Sequence, residues 1–585
     1  MRTRPHIRGL AVAVAVASAA TGLAGTAFAG TDAPAPSVVD AARSAAFAHA
    51  SATGVARGDE LQPQDVMVDP EGARHVRFVR THRGMPVLGG DLVVHLTSKL
   101  AYAGVTRAAD HAVRPDGTRA ELTAGEARAK AAAATDGTAG TAQLVVDARD
   151  GEAALAYRIH VTGGDAEATG SSTVVVDAVT GEIRSNTPDA EEFLSPRVVR
   201  TLRARGEQID PATGIAPATP RLTGAGPAAA YPAPATGVGK SLFAGQVSLS
   251  TTRTARTTYV LKDPRRYGTE TRDARGLEPV QFGQAKRLTS STNTWGNGTV
   301  GNRMSAAVDA QYGVAETLDF YKEQFGRKGI KNDSKGARAI VHFGNKVGNA
   351  FWYSYCGCML YGDGDGELFK KPLVVLDVTG HELSHGVVDA TARLEPTRVD
   401  SRGVQYGEPG SLNESLADIF GSGVEFQAKN AKNPPNYLVG EKLGLEQKFL
   451  RRLDKPSLDV LEGAIDYWSP AVYDAEVHAG SGVSSHAFYL LAEGSGRKRI
   501  GAVTYDSPTY DGLPVKGIGR TKALKIYYRA LTRYMVSTTD FHDARIATMR
   551  AAKDLYGLNS VEYKAVSRSW AAVNVRLANT PAVRR

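Results

Sequence analysis

The sequence predicts an α+β protein in several parts. A strand-rich lobe is followed by a mainly helical lobe, and smaller α+β modules precede both. Three observations predict this. Between residues 30 and 190 the apolar pattern runs strand, helix, strand, strand, which suits small modules carrying a helix on a sheet. From about Gly237 the chain is strand-like and rich in Thr and Ser, and after about Asp309 it turns helical. Between these regions, residues 209–239 are mostly Pro, Ala, Gly and Thr. Such a stretch cannot bury a core and reads as an exposed linker and processing region.

In chain order, the first residues carry Arg2, Arg4 and Arg8, then an apolar run from Gly9 to Ala17 that continues, rich in Ala and Gly, to Ala27-Phe28-Ala29. A basic start, an apolar centre and an A-x-A-like end make a signal peptide over residues 1–29, cleaved after Ala29. No later segment is apolar and long enough to cross a bilayer, so the mature chain is expected to be secreted and extracellular, without stable membrane association. Val76 and Phe78, Val87-Leu88 and the run Asp91–Leu96 read as strands around a turn at Gly84-Met85-Pro86. Thr123-Ala124-Gly125-Glu126 is a capping box opening an Ala-rich helix to about Ala134. Strand-like runs follow at Leu155–Val161 and Thr173–Val179. The expected parts are modules at 30–120 and 121–190, a linker at 191–236, lobes at 237–388 and 389–579, and a tail at 580–585.

Charge excludes one class of partner. The 585 residues hold 70 Lys and Arg against 61 Asp and Glu, a net +9 that is scattered in short clusters such as Arg451-Arg452 without stacking aromatics, so no nucleic acid is expected. The only cysteines, Cys356 and Cys358, rule out a disulfide framework; a C-x-C pair could close a small ring or remain two thiols.

The chemistry lies between Asp377 and His486. His381-Glu382-Leu383-Ser384-His385 is H-E-x-x-H, which on a helix puts both imidazoles on one face, able to bind one metal ion. Glu382 beside them can take the proton of a water at that metal. Catalytic zinc takes three protein ligands, and the best third ligand is Glu414, in a second helical run with apolar positions at 412, 416, 419 and 420. Asp418, one turn on, can accept the other ring N–H of His381.

With N-E-x-x-x-D following H-E-x-x-H, the chain resembles a thermolysin-like zinc metallopeptidase of the gluzincin type over about residues 237–579. Asn349-Ala350-Phe351-Trp352 and Tyr361–Gly366 resemble that family's substrate-edge strand and following turn. Arg83–Val87 with Gly89–Val94 resembles the fungalysin/thermolysin propeptide motif, and residues 121–187 the PepSY module. The resemblance implies a preproenzyme of a two-lobed thermolysin-like fold whose propeptide aids folding and inhibits. It implies one catalytic zinc on His381, His385 and Glu414, with Glu382 as general base. His478 would stabilise the oxyanion, oriented by Asp474, with Tyr406 sharing the task. Arg451 would hold the substrate carbonyl, Asn349 and Ala350 the peptide backbone, and Leu450, Phe369 and Val378 the apolar pocket after the scissile bond. Asp377, Glu425 and Glu441 match calcium ligands, and the scarcity of acids around them implies one structural calcium. The expected activity is hydrolysis of polypeptides before a bulky apolar residue, by a monomer. A catalytically inactive secreted binding protein and a zinc aminopeptidase are the other readings; chelator-sensitive cleavage and N-blocked peptides separate them.

Overall fold

The region from Val38 to Pro188, where the propeptide modules are expected, is organised on a sheet of nine strands among the described residues. Its first half is antiparallel: Asp59–Val68 pairs with Arg74–His82, which pairs with Leu92–Leu96. Alternate side chains Val76, Phe78, Leu92, Val94 and Leu96 are buried with Ala42 and Ala46 of the helix Val38–Ala48. The short strand Met85–Leu88 joins the halves by pairing in parallel with Thr138–Asp147. The second half packs the helix Ala124–Thr135 on its sheet through Ala127 and Ala131. That helix opens with the expected capping box: Thr123 Oγ1 accepts the Glu126 N–H at 3.2 Å and Glu126 Oε2 accepts the Thr123 N–H at 2.7 Å. This computed structural model describes residues 37–576 except 116, 118, 150, 164–169, 211–230, 279, 280 and 401. The expected signal peptide, the tail and much of the linker lie outside the described residues.

The following lobe holds a second sheet, in which Thr269–Asp273, Arg338–Val341 and Cys358–Tyr361 run parallel. Ala350–Tyr353 folds back antiparallel on Cys358–Tyr361, and Cys356 and Cys358 form a disulfide at the tip of this hairpin. The helix Arg303–Phe325 is capped by Asn302 and stopped by Gly326 at φ 71°. Beyond it come the helices Leu376–Asp389, Glu408–Ala428 and Val477–Glu493, then Arg520–Arg533, Phe541–Tyr556 and Val561–Ala572. Apolar residues of both lobes share one core. The strand-rich and helical lobes therefore stand as expected.

The linker expectation needs correction. Within residues 191–236, Ala190–Glu192 is a strand pairing antiparallel with Ala350–Tyr353, and Pro196–Arg205 is a helix. Ser195 caps this helix on the Val198 N–H and Pro196 fills its first turn, where no N–H is needed. Val198 and Leu202, four apart, enter the main core. The sequence hid the helix because its other positions are mostly Arg and Thr; two buried residues on one face sufficed once a neighbour supplied the rest of the core.

This N-terminal region docks on the helical lobe through polar contacts. Asp69 pairs with Arg529, Arg77 donates to the Met535 carbonyl at 2.8 Å, and Thr538 donates to the Ala108 carbonyl at 2.7 Å. His75 donates to Asp69 at 2.9 Å, and its other ring nitrogen meets His95 at 2.8 Å.

Candidate metal centre and substrate cleft

Two helices build the centre. Leu376–Asp389 is buried along nearly its whole length and carries His381, Glu382 and His385. Glu408–Ala428, started by Pro409, carries Asn413, Glu414 and Asp418. They cross at glycines: a Cβ on Gly421 would stand 3.1 Å from the Asp377 carbonyl and from the His381 N, and one on Gly380 would stand 3.1 Å from Gly421 Cα. The missing Cβ atoms at this contact let the two helix backbones approach closely.

The Nε2 atoms of His381 and His385 face each other at 3.0 Å, with Glu414 oxygens at 3.4 and 3.5 Å. His381 Nδ1 donates to Asp418 Oδ1 at 2.8 Å and His385 Nδ1 donates to Asn413 Oδ1 at 2.9 Å. Both rings thus turn Nε2 lone pairs toward Glu414, the arrangement a metal-bound imidazole requires. Glu414 Oε2 and Glu382 Oε1 are buried and accept no hydrogen bond. Converging nitrogen lone pairs and an orphaned carboxylate oxygen fit zinc. Burial opposes ionisation of Glu414, yet His478, His385 and His381 hold its carboxyl well below the usual range. Burial lowers His385 to about 4. Burial and the charge of Glu414 push Glu382 well up. Glu382 Oε2 accepts the backbone N–H of Trp352 at 2.8 Å, tying the base to the edge strand.

A segment of the chain itself lies in the cleft. Phe193 N–H donates to the Ala350 carbonyl at 3.2 Å, and Leu194 N–H to Asn349 Oδ1 at 3.1 Å. Asn349 Nδ2 returns a bond to the Leu194 carbonyl at 3.1 Å, and Arg451 donates to the Phe193 carbonyl at 3.2 Å. His478 Nε2 donates to the Glu192 carbonyl at 2.9 Å. The Phe193 ring is fully buried, edge-on to His381 with centroids 5.2 Å apart. Leu450, Val378 and Phe369 belong to the same apolar core, and the Phe369 backbone bridges to Ile209.

Two expected helpers sit elsewhere. Asp474 does not orient His478: its side chain is 90% exposed, 3.7 Å from Arg398. Glu476 does so instead, accepting from His478 Nδ1 at 2.7 Å and capping the helix through the His478 N–H at 2.9 Å. The reason is geometric: the residue before a helix turns its side chain back over the first turn, whereas Asp474 ends the preceding short helix and points to solvent. Burial opposes the charge on His478, but Glu414 and Glu476 raise its basicity well above the ordinary value. The Tyr406 hydroxyl donates to Asp400 at 3.2 Å beneath the Arg398 guanidinium, not to the Glu192 carbonyl. Its backbone bridges to Glu476. Asn413 and Glu476 were missed in sequence. Each has a signal: Asn413 directly precedes the third ligand, and Glu476 lies two residues before His478.

A second cluster joins Asp377, Glu425 and Glu441. Asp377 accepts the Gly440 N–H at 2.6 Å, Glu441 accepts from Asn436 at 3.0 Å, and Glu425 accepts from Asn433. Glu425 Oε2, Glu441 Oε2 and Asn433 Oδ1 are buried without partners. Burial raises all three carboxyls, Glu441 to about 8, and repulsion adds to it at Glu425, from Glu441 and Asp377, and at Glu441, from Asp377. Buried oxygens of this number fit a hard cation.

A two-lobed α+β fold with two imidazoles and a glutamate converging between crossed helices defines the class: a metallopeptidase fold carrying its own pro-region. The chain belongs to the thermolysin family of metallopeptidases. Residues 236–389 match "Thermolysin metallopeptidase, catalytic domain", 403–575 "Thermolysin metallopeptidase, alpha-helical domain" and 59–106 "Fungalysin/Thermolysin Propeptide Motif". The thermostable neutral protease NprT of Geobacillus stearothermophilus is 30% identical over 88% of this chain and 86% of its own length. The transglutaminase-activating metalloprotease of Streptomyces mobaraensis is 38% identical over 89% of this chain and 62% of its own length. The bacillolysin of Bacillus cereus is 34% identical over 58% and 55%. The chain thus spans 55 to 62% of the length of these last two relatives.

Proposed function

We propose that the chain is the precursor of a secreted zinc endopeptidase that cuts polypeptides before a bulky apolar residue. The observation that carries this reading is the convergence of His381, His385 and Glu414 beside Glu382, with a peptide backbone held across them by Asn349, Ala350, Arg451 and His478. His381, His385 and Glu414 would hold zinc, which when bound would supply Lewis acidity to a water and to the substrate carbonyl. Asp418 and Asn413 orient the imidazoles. Glu382 takes a proton from the attacking water and passes it to the leaving amine. His478, held charged by Glu414 and Glu476, donates to the carbonyl oxygen as negative charge develops there. Arg451 and Asn349 fix the peptide beyond the scissile bond, and Ala350–Tyr353 takes the rest as an added strand, which is indifferent to side chains.

The pro-region acts as an intramolecular inhibitor by filling this cleft. Asp377, Glu425 and Glu441 hold one structural calcium. Secretion rests on the signal-peptide pattern of residues 1–29; among the described residues no helix is long and apolar enough to cross a membrane.

The test is hydrolysis of an N-blocked, internally quenched peptide by the processed protein, beside Glu382→Ala, with chelator and zinc add-back. Loss in the variant and the chelated sample, with zinc restoring the latter, is the expected result. Folded, zinc-loaded, pro-region-free protein that cuts nothing overturns the reading.

A further inference from the structure

The segment in the cleft is threaded as a substrate, and one bond of it occupies the reacting position. The Glu192 carbonyl accepts from His478 Nε2 at 2.9 Å, and that nitrogen is 3.3 Å from the ligand Glu414. On the other side of the same peptide bond, the Phe193 nitrogen donates to the Ala350 carbonyl at 3.2 Å, where a departing amine would be held. Beyond it, Arg451 and Asn349 hold the next two carbonyls and Phe193 fills the apolar pocket. The segment does not end there. Ser195 donates to Glu462 at 2.6 Å, Val198 and Leu202 are in the core, and Ile209 bridges Phe369, donating to the Leu368 carbonyl at 2.6 Å.

We propose that Glu192–Phe193 is the bond this chain cuts in itself, and that the new amino terminus at Phe193 stays in the cleft as a tethered product, so that this cut alone leaves the protease closed. The proposal rests on the zinc-peptidase reading above. Water adds to the Glu192 carbonyl carbon as Glu382 takes its first proton, that proton passes to the Phe193 nitrogen as the C–N bond breaks, and the second water proton follows by way of Glu382, leaving a Glu192 carboxylate and a Phe193 ammonium. The helix Pro196–Arg205 keeps that product at high effective concentration.

The experiment follows the zinc-loaded full chain by intact mass and amino-terminal sequencing, beside cleavage of the external quenched peptide. The expected first product begins at Phe193 and forms at a rate independent of chain concentration, with less than a tenth of the final peptide activity. Activity then rises with species whose amino terminus lies beyond Ile209. A second readout needs no turnover. In metal-stripped Glu382→Ala chain the Leu194 amide is protected from hydrogen exchange, and Asn349→Ala speeds its exchange at least tenfold. A first cut elsewhere with Glu192–Phe193 intact, full activity on appearance of the Phe193 terminus, or an unprotected Leu194 amide each overturns the proposal while external cleavage keeps the protease reading standing. Failure to cut any peptide overturns both.

Discussion

Asp418 and Arg451 form a two-pronged pair, Nε and Nη2 each 2.8 Å from a separate carboxylate oxygen, and the same Asp418 accepts from His381. One buried carboxylate therefore positions both a metal ligand and the cation that grips the peptide. Burial works against its charge, but Arg451 and His381 hold the carboxyl down to about 2.

Asp418→Asn is accordingly expected to weaken both functions together. Zinc affinity falls by about 10–100-fold, read by chelator competition, and KM rises as Arg451 loses its partner. A change in zinc affinity with KM unmoved would show that Arg451 is held by other groups.

His478 and Glu476 give a second outcome. Glu476→Gln lowers kcat by about 10²–10³-fold, the scale of losing an oxyanion donor, because the imidazole loses one of the two anions that keep it charged and the carboxylate that accepts from its Nδ1. Asp474→Asn leaves kcat unchanged, since its side chain lies in solvent. Steady-state kinetics on the two variants decide; equal losses would mean that the assignment of Glu476 is mistaken.

The buried acids Asp377, Glu425 and Glu441 predict calcium-dependent stability. Binding at a hundred times the dissociation constant adds about 2.7 kcal/mol, so a calcium chelator lowers the melting temperature of wild type and not of Glu425→Gln. A melting temperature indifferent to calcium would leave the trio as protonated acids.

Acid is expected to loosen the pro-region. Burial, then His75, Arg550 and Arg77, depress His95 from the ordinary 6.5 to about 3. Tyr534 also packs on it, Thr106 accepts from it at 3.0 Å, and Asp69 acts weakly the other way. The folded state favours neutral His95, so its contribution is whole above pH 6.5 and is lost as pH falls toward 3, an effect of a few kcal/mol. Asp69, held low by His75 and Arg529 against its burial, adds a loss in the same direction below its ordinary 3.8. Melting of unprocessed Glu382→Ala chain across this range, beside the same chain with His95→Gln, measures it; parallel curves would exclude His95.

Much of the centre was legible because helical spacing converts directly into geometry. His381 and His385 had to share a face, and Glu414 and Asp418 had to lie one turn apart. Placements set by loops and caps were not legible in the same way. Asp474 and Glu476 differ only in which side of a helix start they occupy, and Tyr406 is turned by the local pairing with Asp400 and Arg398. The helix Pro196–Arg205 was hidden for another reason: its stability is borrowed from a core built by residues far along the chain.

The crossing at Gly380 and Gly421 fixes more than closeness. Because backbone meets backbone there, the triangle of His381, His385 and Glu414 is gauged by main-chain thickness rather than by side chains that can change rotamer. Adding a single methyl at Gly421 would pry the ligand-bearing helices apart, so a substitution far too small to unfold the chain would register first as a widened metal nest.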